Sequence, residues 1–309
     1  MDRTGRAVLR GPTRGDRLIR EATMNTIRRV GVVGGGVMGT GIAEACARAG
    51  LDVRVVTSSP LSIGTARNRL RDSLERRLRK GRLTSDERDR IVERVRFGAD
   101  LETLADRQLV IEAVTERESV KVEVFQTLDK VLSGTDAILA SNTSSIPIMR
   151  LARLTGRPER VLGLHFFNPV GAMPLVELVG TFLTAERTIS QIEDFVTQTL
   201  GKQTIRARDR AGFVVNALLV PYLLSAIRMV ESGFASAEEI DRGMQLGCNH
   251  PMGPLALSDL IGLDTLTAIA NALYEEFKEP LYAPPPLLLR MVEGGHLGRK
   301  VGRGFRVPG

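Results

Sequence analysis

Three glycines constrain this chain more than any other feature. The run Gly34-Gly35-Gly36-Val37-Met38-Gly39 follows directly on the apolar stretch Val30-Gly31-Val32-Val33. Spaced as G-x-G-x-x-G between a strand-like and a helix-like segment, the glycines have separate tasks. Gly34 permits a tight turn, Gly36 lets the backbone come close to a pyrophosphate, and Gly39 lets the next helix pack against the sheet. The helix is expected over 36–49, burying Ile42, Ala43, Cys46 and Ala47, and Val53-Arg54-Val55-Val56 supplies the second strand of a βαβ unit. Free N–H groups at Val37, Met38 and Gly39 would receive the diphosphate at the positive end of the helix dipole. An ordinary glycine-rich turn is the competing interpretation, and the placement in a βαβ unit argues against it. A matching chain usually carries an acid at position 57 for the ribose hydroxyls, and here Thr57 stands there.

Short β-branched runs alternate with helical patterns from residue 28 to about 207, with strands expected at 28–33, 52–57, 95–97, 108–113, 137–141, 161–166, 174–179 and 203–207. This alternation predicts an α/β, Rossmann-type, mostly parallel sheet covered by helices. Leu61 to Arg94 is too long for a simple crossover and reads as two charged helices joined near Gly81-Arg82-Leu83-Thr84, a projecting helical hairpin. After Arg208-Asp209-Arg210 the pattern turns wholly helical. The expected organisation is an extension over 1–24, a dinucleotide-binding domain over 25–207 and an all-α domain over 208–309. The apolar helices of that last domain predict a homodimer.

The net charge is +7, of which residues 1–24 carry +3 through six arginines and three acids. The remaining +4 is too modest for nucleic acid, and suits a phosphate-bearing ligand or an acidic carrier protein. No apolar stretch approaches the length of a membrane span. Cys46 and Cys248 offer neither metal-ligand spacing nor a disulfide framework, so a cytoplasmic protein with two packing cysteines is expected. Residues 1–24 read as a disordered extension. Their arginines resemble a transit peptide, against which the three acids argue.

Two polar clusters follow predicted strands: Ser141-Asn142-Thr143-Ser144-Ser145 and His165-Phe166-Phe167-Asn168-Pro169. In open α/β sheets ligands bind at the carboxyl ends of strands, so both clusters fall where chemistry is expected. Glu177 lies in the apolar strand Met173-Pro174-Leu175-Val176-Glu177-Leu178-Val179, where an unpaired carboxylate is costly. Pairing with His165 removes that cost and orients the imidazole as a general base for a hydroxyl proton. A core histidine with an unrelated edge glutamate remains the structural alternative.

Together these motifs resemble the 3-hydroxyacyl-CoA dehydrogenase family. The resemblance is carried by Gly34–Ala43, Ser141–Ser145, His165–Pro169, Gly212-Phe-Val-Val-Asn216, Asn249-His-Pro-Met-Gly-Pro254 and Leu297-Gly-Arg-Lys-Val-Gly-Arg-Gly-Phe305, in family order and covering about residues 26–306. It implies that His165 is the catalytic base, Glu177 its carboxylate partner, and Ser144 and Asn216 hydrogen-bond donors to the substrate oxygen, with Asn168 nearby. Ser73 and Lys80 match CoA-side contacts on the hairpin. Glu116, Lys121 and Lys300 match cofactor-pocket positions, Lys121 also lying near the substrate. Asn142 is expected on the cofactor as well. The implied reaction is interconversion of an L-3-hydroxyacyl thioester and its 3-ketoacyl form with NAD or NADP, and family members dimerise through the helical domain.

Some positions depart from the family pattern. Thr57 removes a carboxylate that would repel a 2′-phosphate, and the hydroxyls of Thr57, Ser58 and Ser59 can donate to one, which leans the expectation towards NADP. Ala211 and Ala217 stand where the family often has Pro and Arg, and Phe305 lacks its usual aromatic neighbour. These changes leave room for an acyl group borne by an acyl carrier protein, or for a CoA-free hydroxy acid. A non-catalytic dinucleotide-binding structural protein is the remote alternative.

Overall fold

The computed structural model describes residues 26–306. The extension expected over 1–24 lies outside the described residues. Eight strands form one sheet: β1 (Arg29–Val33), β2 (Asp52–Val56), β3 (Val95–Gly98), β4 (Leu109–Glu112), β5 (Ile138–Ser141), β6 (Val161–Phe166), β7 (Leu175–Gly180) and β8 (Gln203–Arg208), in the order β3-β2-β1-β4-β5-β6-β7-β8. Each falls within one residue of its sequence expectation. Hydrophobicity continuous along a strand, rather than alternating, marks burial on both faces. Accordingly β4, β5 and β6 are buried at every position, and the edge strand β8 is not.

Helices cover both faces. On one side lie α1 (Val37–Arg48), the hairpin α2 (Pro60–Arg79) and α3 (Ser85–Arg94), and α6 (Glu186–Asp194). On the other lie α4 (Glu118–Val131) and α5 (Ile148–Ala152). The hairpin turns at Gly81, whose φ of +65° suits glycine, and α3 opens with a capping box in which Thr84 and Glu87 satisfy each other's backbone N–H groups. Cys46 is buried on the inner face of α1, and desolvation pushes its thiol up to about 12. Cys248 corrects its expectation as a packing residue, because it is exposed at the end of its helix.

Beyond β8 the chain is helical: α7 (Val215–Glu231), α8 (Ala237–Cys248), α9 (Pro254–Ile261), α10 (Leu263–Phe277) and α11 (Pro286–Glu293) enclose a separate apolar core around Leu223, Leu224, Ile227, Leu266 and Leu273. Gly262, at φ +99°, divides α9 from α10 and bends the pair by 96°. The junction between the units is tied down. Asp209 accepts the Ile148 and Met149 N–H groups at 2.7 Å each, satisfying the free donors at the start of α5, and Glu276 accepts the Ala211 N–H at 3.0 Å.

One ion pair on the hairpin side, its carboxylate buried and its guanidinium partly so, extends by a hydrogen bond to a third segment. Arg77 of α2 lies 2.7 Å from Glu44 of α1 and donates to the Gly171 carbonyl at 3.1 Å, in the loop leading from β6 to β7. A Cβ at Gly171 would collide with the Arg77 guanidinium. Truncating one partner of a buried pair leaves the other charge uncompensated. Arg77→Ala should therefore cost about 2 kcal/mol in urea unfolding, partly recovered by adding Glu44→Gln. A loss near zero for the single variant would show that the pair is only a surface contact.

Candidate active site

The antiparallel reversal between β6 and β7 is the local feature that builds the site. It sets His165 directly opposite Glu177 in the sheet register, although twelve residues separate them in sequence. His165 Nδ1 lies 2.7 Å from Glu177 Oε2, with Glu177 fully buried and the imidazole nearly so. An ionised carboxylate only accepts hydrogen bonds, so Nδ1 carries the proton and Nε2 presents its lone pair. The other carboxylate oxygen accepts the N–H groups of Val214 and Val215, at 3.1 and 3.0 Å, where α7 begins. The positive end of that helix holds the charge on Glu177.

The turn into α7 takes its shape from Gly212 and Phe213, at φ +74° and +49°. Left-handed backbone is costly for phenylalanine, and here it aims the start of α7 at Glu177. The Phe213 ring meets the His165 ring edge-on at 5.5 Å, and Phe167 flanks it at 4.6 Å. Asn216 follows Val215 in the first turn of α7, Asn168 lies three residues beyond His165, and Ser144 three beyond the end of β5, the parallel neighbour of β6. The side chains of these three residues form no hydrogen bond among the described residues, so their donors are available to a substrate oxygen.

A polar floor supports the Ser144 loop. Glu112, fully buried at the end of β4, accepts Lys121 Nζ at 2.7 Å, Ser141 Oγ at 2.6 Å and the Val114 N–H at 2.7 Å. Glu116 accepts the Ser144 N–H at 3.2 Å, Ser145 Oγ at 2.8 Å and Thr143 Oγ1, and lies 3.2 Å from Lys121 Nζ. Burial pushes the Glu116 carboxyl up, but Lys121 and the hydroxyls of Thr143 and Ser145 outweigh it and hold it below the usual carboxylate range. Lys121, 1% exposed, is a brace between two carboxylates rather than a free cation facing the cleft. Sequence reasoning missed Glu112, and it quoted Ser141 within its polar cluster without giving it a role. The argument that found Glu177, an acid inside an apolar strand, applies equally to Glu112 in Leu109-Val110-Ile111-Glu112. Asn142 Oδ1 accepts the Phe166 N–H at 2.9 Å and so fastens the end of β5 to that of β6.

The glycine turn lies where the strand order reverses, between β1 and β4. A Cβ at Gly34 would collide with the Ala113 carbonyl and one at Gly39 with the Gly34 carbonyl, whereas one at Gly36 meets nothing within 4 Å. Gly34 and Gly39 are thus glycine for internal packing, and Gly36 for an approach from outside. Gly36 caps α1 without any side-chain acceptor, leaving the first-turn N–H groups for an anion. These features fit a dinucleotide diphosphate.

Position 57 brings a correction. Thr57 is buried, and its hydroxyl donates to the Ser59 carbonyl at 2.9 Å, with the Gly98 carbonyl at 3.3 Å. Its single proton is committed to backbone, so it is no donor to a phosphate. Ser59 pairs with Ser62 at 3.0 Å, which leaves Ser58 exposed. Ser73 lies on α2, and Lys80, seven residues on, caps its C-terminal end. Lys300 pairs with Asp264 of α10, and no hydrogen bond or ion pair among the described residues links it to the glycine turn.

A dinucleotide turn with a carboxylate-oriented histidine at the neighbouring strand ends defines a nicotinamide-dependent oxidoreductase. Residues 29–210 match the 3-hydroxyacyl-CoA dehydrogenase NAD binding domain and residues 212–307 the C-terminal domain of the same enzymes, so the chain belongs to the 3-hydroxyacyl-CoA dehydrogenase family. It is 60% identical over 281 residues to a 3-hydroxybutyryl-CoA dehydrogenase of Mycobacterium tuberculosis, covering 91% of this chain and 98% of that protein. A Bradyrhizobium diazoefficiens protein of the same name is 44% identical over 281 residues, covering 90% and 94%. Among solved structures, FadB2 of M. tuberculosis superposes with a TM-score of 0.91 at 59% identity, covering 92% of this chain and all of that one. The (S)-3-hydroxybutyryl-CoA dehydrogenase PaaH1 of Ralstonia eutropha gives 0.86 at 44%, with 92% and 100% covered.

The glycine geometry separates two substitutions. Gly36→Ala should leave stability within about 1 kcal/mol of wild type yet weaken dinucleotide binding about tenfold or more. Gly39→Ala should lower both, since overpacking costs about 1–3 kcal/mol. Thermal unfolding with and without NADH distinguishes them, and equal melting of the two variants would refute the assignment.

Proposed function

We propose that this protein interconverts a short L-3-hydroxyacyl-CoA and the corresponding 3-ketoacyl-CoA. The observation that carries this reading is the His165–Glu177 pair, with one imidazole nitrogen fixed on a carboxylate and the other free for a substrate hydroxyl. During oxidation His165 Nε2 takes the proton of the 3-hydroxyl, and Glu177 stabilises the imidazolium that forms. In reduction the same proton returns to the ketone oxygen. Ser144 and Asn216 hold that oxygen and Asn168 lines the approach, while Ser73 and Lys80 serve the CoA end. The glycine turn, with Glu116 and Asn142, would hold a nicotinamide dinucleotide, which would supply the two-electron redox chemistry. The short acyl group is supported by relatives named for 3-hydroxybutyryl-CoA. The lean to NADP rests on the missing acid at position 57. Turnover of acetoacetyl-CoA tests the proposal, followed by nicotinamide absorbance with each reduced cofactor. His165→Ala should lower kcat by about a hundredfold or more, and Glu177→Gln by at least tenfold. An undiminished rate in His165→Ala would sink the mechanism.

An acyl carrier protein is a second reading. A cleft of about 260 Å³ between the hairpin and α1 is lined by Arg48, Arg82, Arg90 and Arg94 against a single acid, Glu87, and this net positive charge favours an acidic partner. Activity on carrier-bound acyl groups alone would favour it over CoA. We also propose a cytoplasmic homodimer formed by the helical unit. Leu218 and Leu246 are 73% and 76% exposed there, and Phe234 and Leu260 are exposed as well. Leu218→Glu with Leu246→Lys should halve the mass measured by light scattering. A wild-type monomer would refute the assembly.

A further inference from the structure

The cation that leans over the glycine turn belongs to no motif. Arg69 follows Ala66 by one turn of α2, and Ala66 packs beneath the turn: its Cβ lies 2.8 Å from a Cβ built on Gly35. Thr57 Cγ2 closes on the same point at 2.7 Å. Gly35, Thr57 and Ala66 therefore form one contact. Arg69 reaches over it to donate from Nη1 to the Gly35 carbonyl at 3.0 Å. Its side chain is exposed and forms no ion pair among the described residues.

This contact lies where the adenosine ribose of a dinucleotide is held, between the glycine turn and the residue after the second strand. An acid after that strand selects a 2′-hydroxyl, and a nearby arginine accommodates a 2′-phosphate. Here the acid is absent, and the hydroxyl in its place is bonded to backbone. Among the described residues Arg69 is a cation that bonds the turn itself, with donors still unpaired.

We propose that Arg69 reads the 2′ position of the adenosine ribose and binds the 2′-phosphate of NADP(H). This rests on the dinucleotide reading of the glycine turn. One N–H anchors the guanidinium on Gly35, and the remaining donors face the phosphate in the fork geometry that suits its oxygens. Thr57 contributes by keeping a carboxylate out of the site. Arg67, two residues earlier, lies 5.9 Å from the Phe97 ring and is the charge-matched control.

The test is equilibrium binding of NADPH and NADH to the full chain by calorimetry, since the two differ only in the 2′-phosphate. Wild type should bind NADPH at least as tightly as NADH. Arg69→Ala and Arg69→Gln should each weaken NADPH about tenfold or more while leaving NADH within about twofold. Arg67→Ala should leave the ratio within about twofold. Equal weakening of both cofactors by Arg69→Ala would make the contact one with the pyrophosphate and overturn the proposal. So would a strong wild-type preference for NADH, or an Arg67→Ala effect as large as that of Arg69→Ala. If neither cofactor binds wild type, the dinucleotide reading itself falls. Binding of both with no Arg69 effect removes only the present proposal.

Discussion

Glu177 carries two obligations on one carboxylate. One oxygen holds the His165 imidazole, and the other accepts the first N–H groups of α7, the helix that opens the second unit. A fully buried carboxylate is tolerable only when its oxygens are satisfied, so the histidine and the helix start depend on each other through it. The same bonds fix the imidazole tautomer and bring Asn216 to the mouth of the site. The junction between the sheet and the helical unit is thereby part of the active site.

The rest of the site follows the same economy of braced carboxylates. Glu112 and Glu116 share Lys121, and the loop bearing Ser144 hangs from Glu116 and Thr143. Such networks are rigid when fully satisfied, and rigidity is what a hydrogen-bond donor to a reacting oxygen requires. The loop after His165 is held in a similar way: Lys202 donates to the Val170 and Met173 carbonyls and Arg77 to that of Gly171. Asn168 thus sits in a segment fastened to both α2 and the start of β8.

Much of this was legible beforehand where residues act through local pattern. Strand limits followed from apolar runs, the hairpin from its length and turn residues, and the His165–Glu177 pair from the cost of an acid in an apolar strand. The glycine spacing foretold which glycines pack and which stays open. Thr57 shows where such inference stops. A hydroxyl looks like a donor in sequence, and only the fold shows its proton taken by the Ser59 and Gly98 carbonyls.

By itself, the sequence determined the α/β alternation, the dinucleotide turn and the identity of the chemical groups, because these depend on periodicity, chain geometry and side-chain type over short spans. Tertiary structure alone decided the antiparallel reversal that sets Glu177 across from His165, the convergence of Lys121 with Glu112 and Glu116, and the reach of Arg69 from α2 to Gly35. Those contacts join residues from different elements, and no local propensity encodes a distance between elements. That distance is set by how the helices pack on the sheet, which is a property of the whole core.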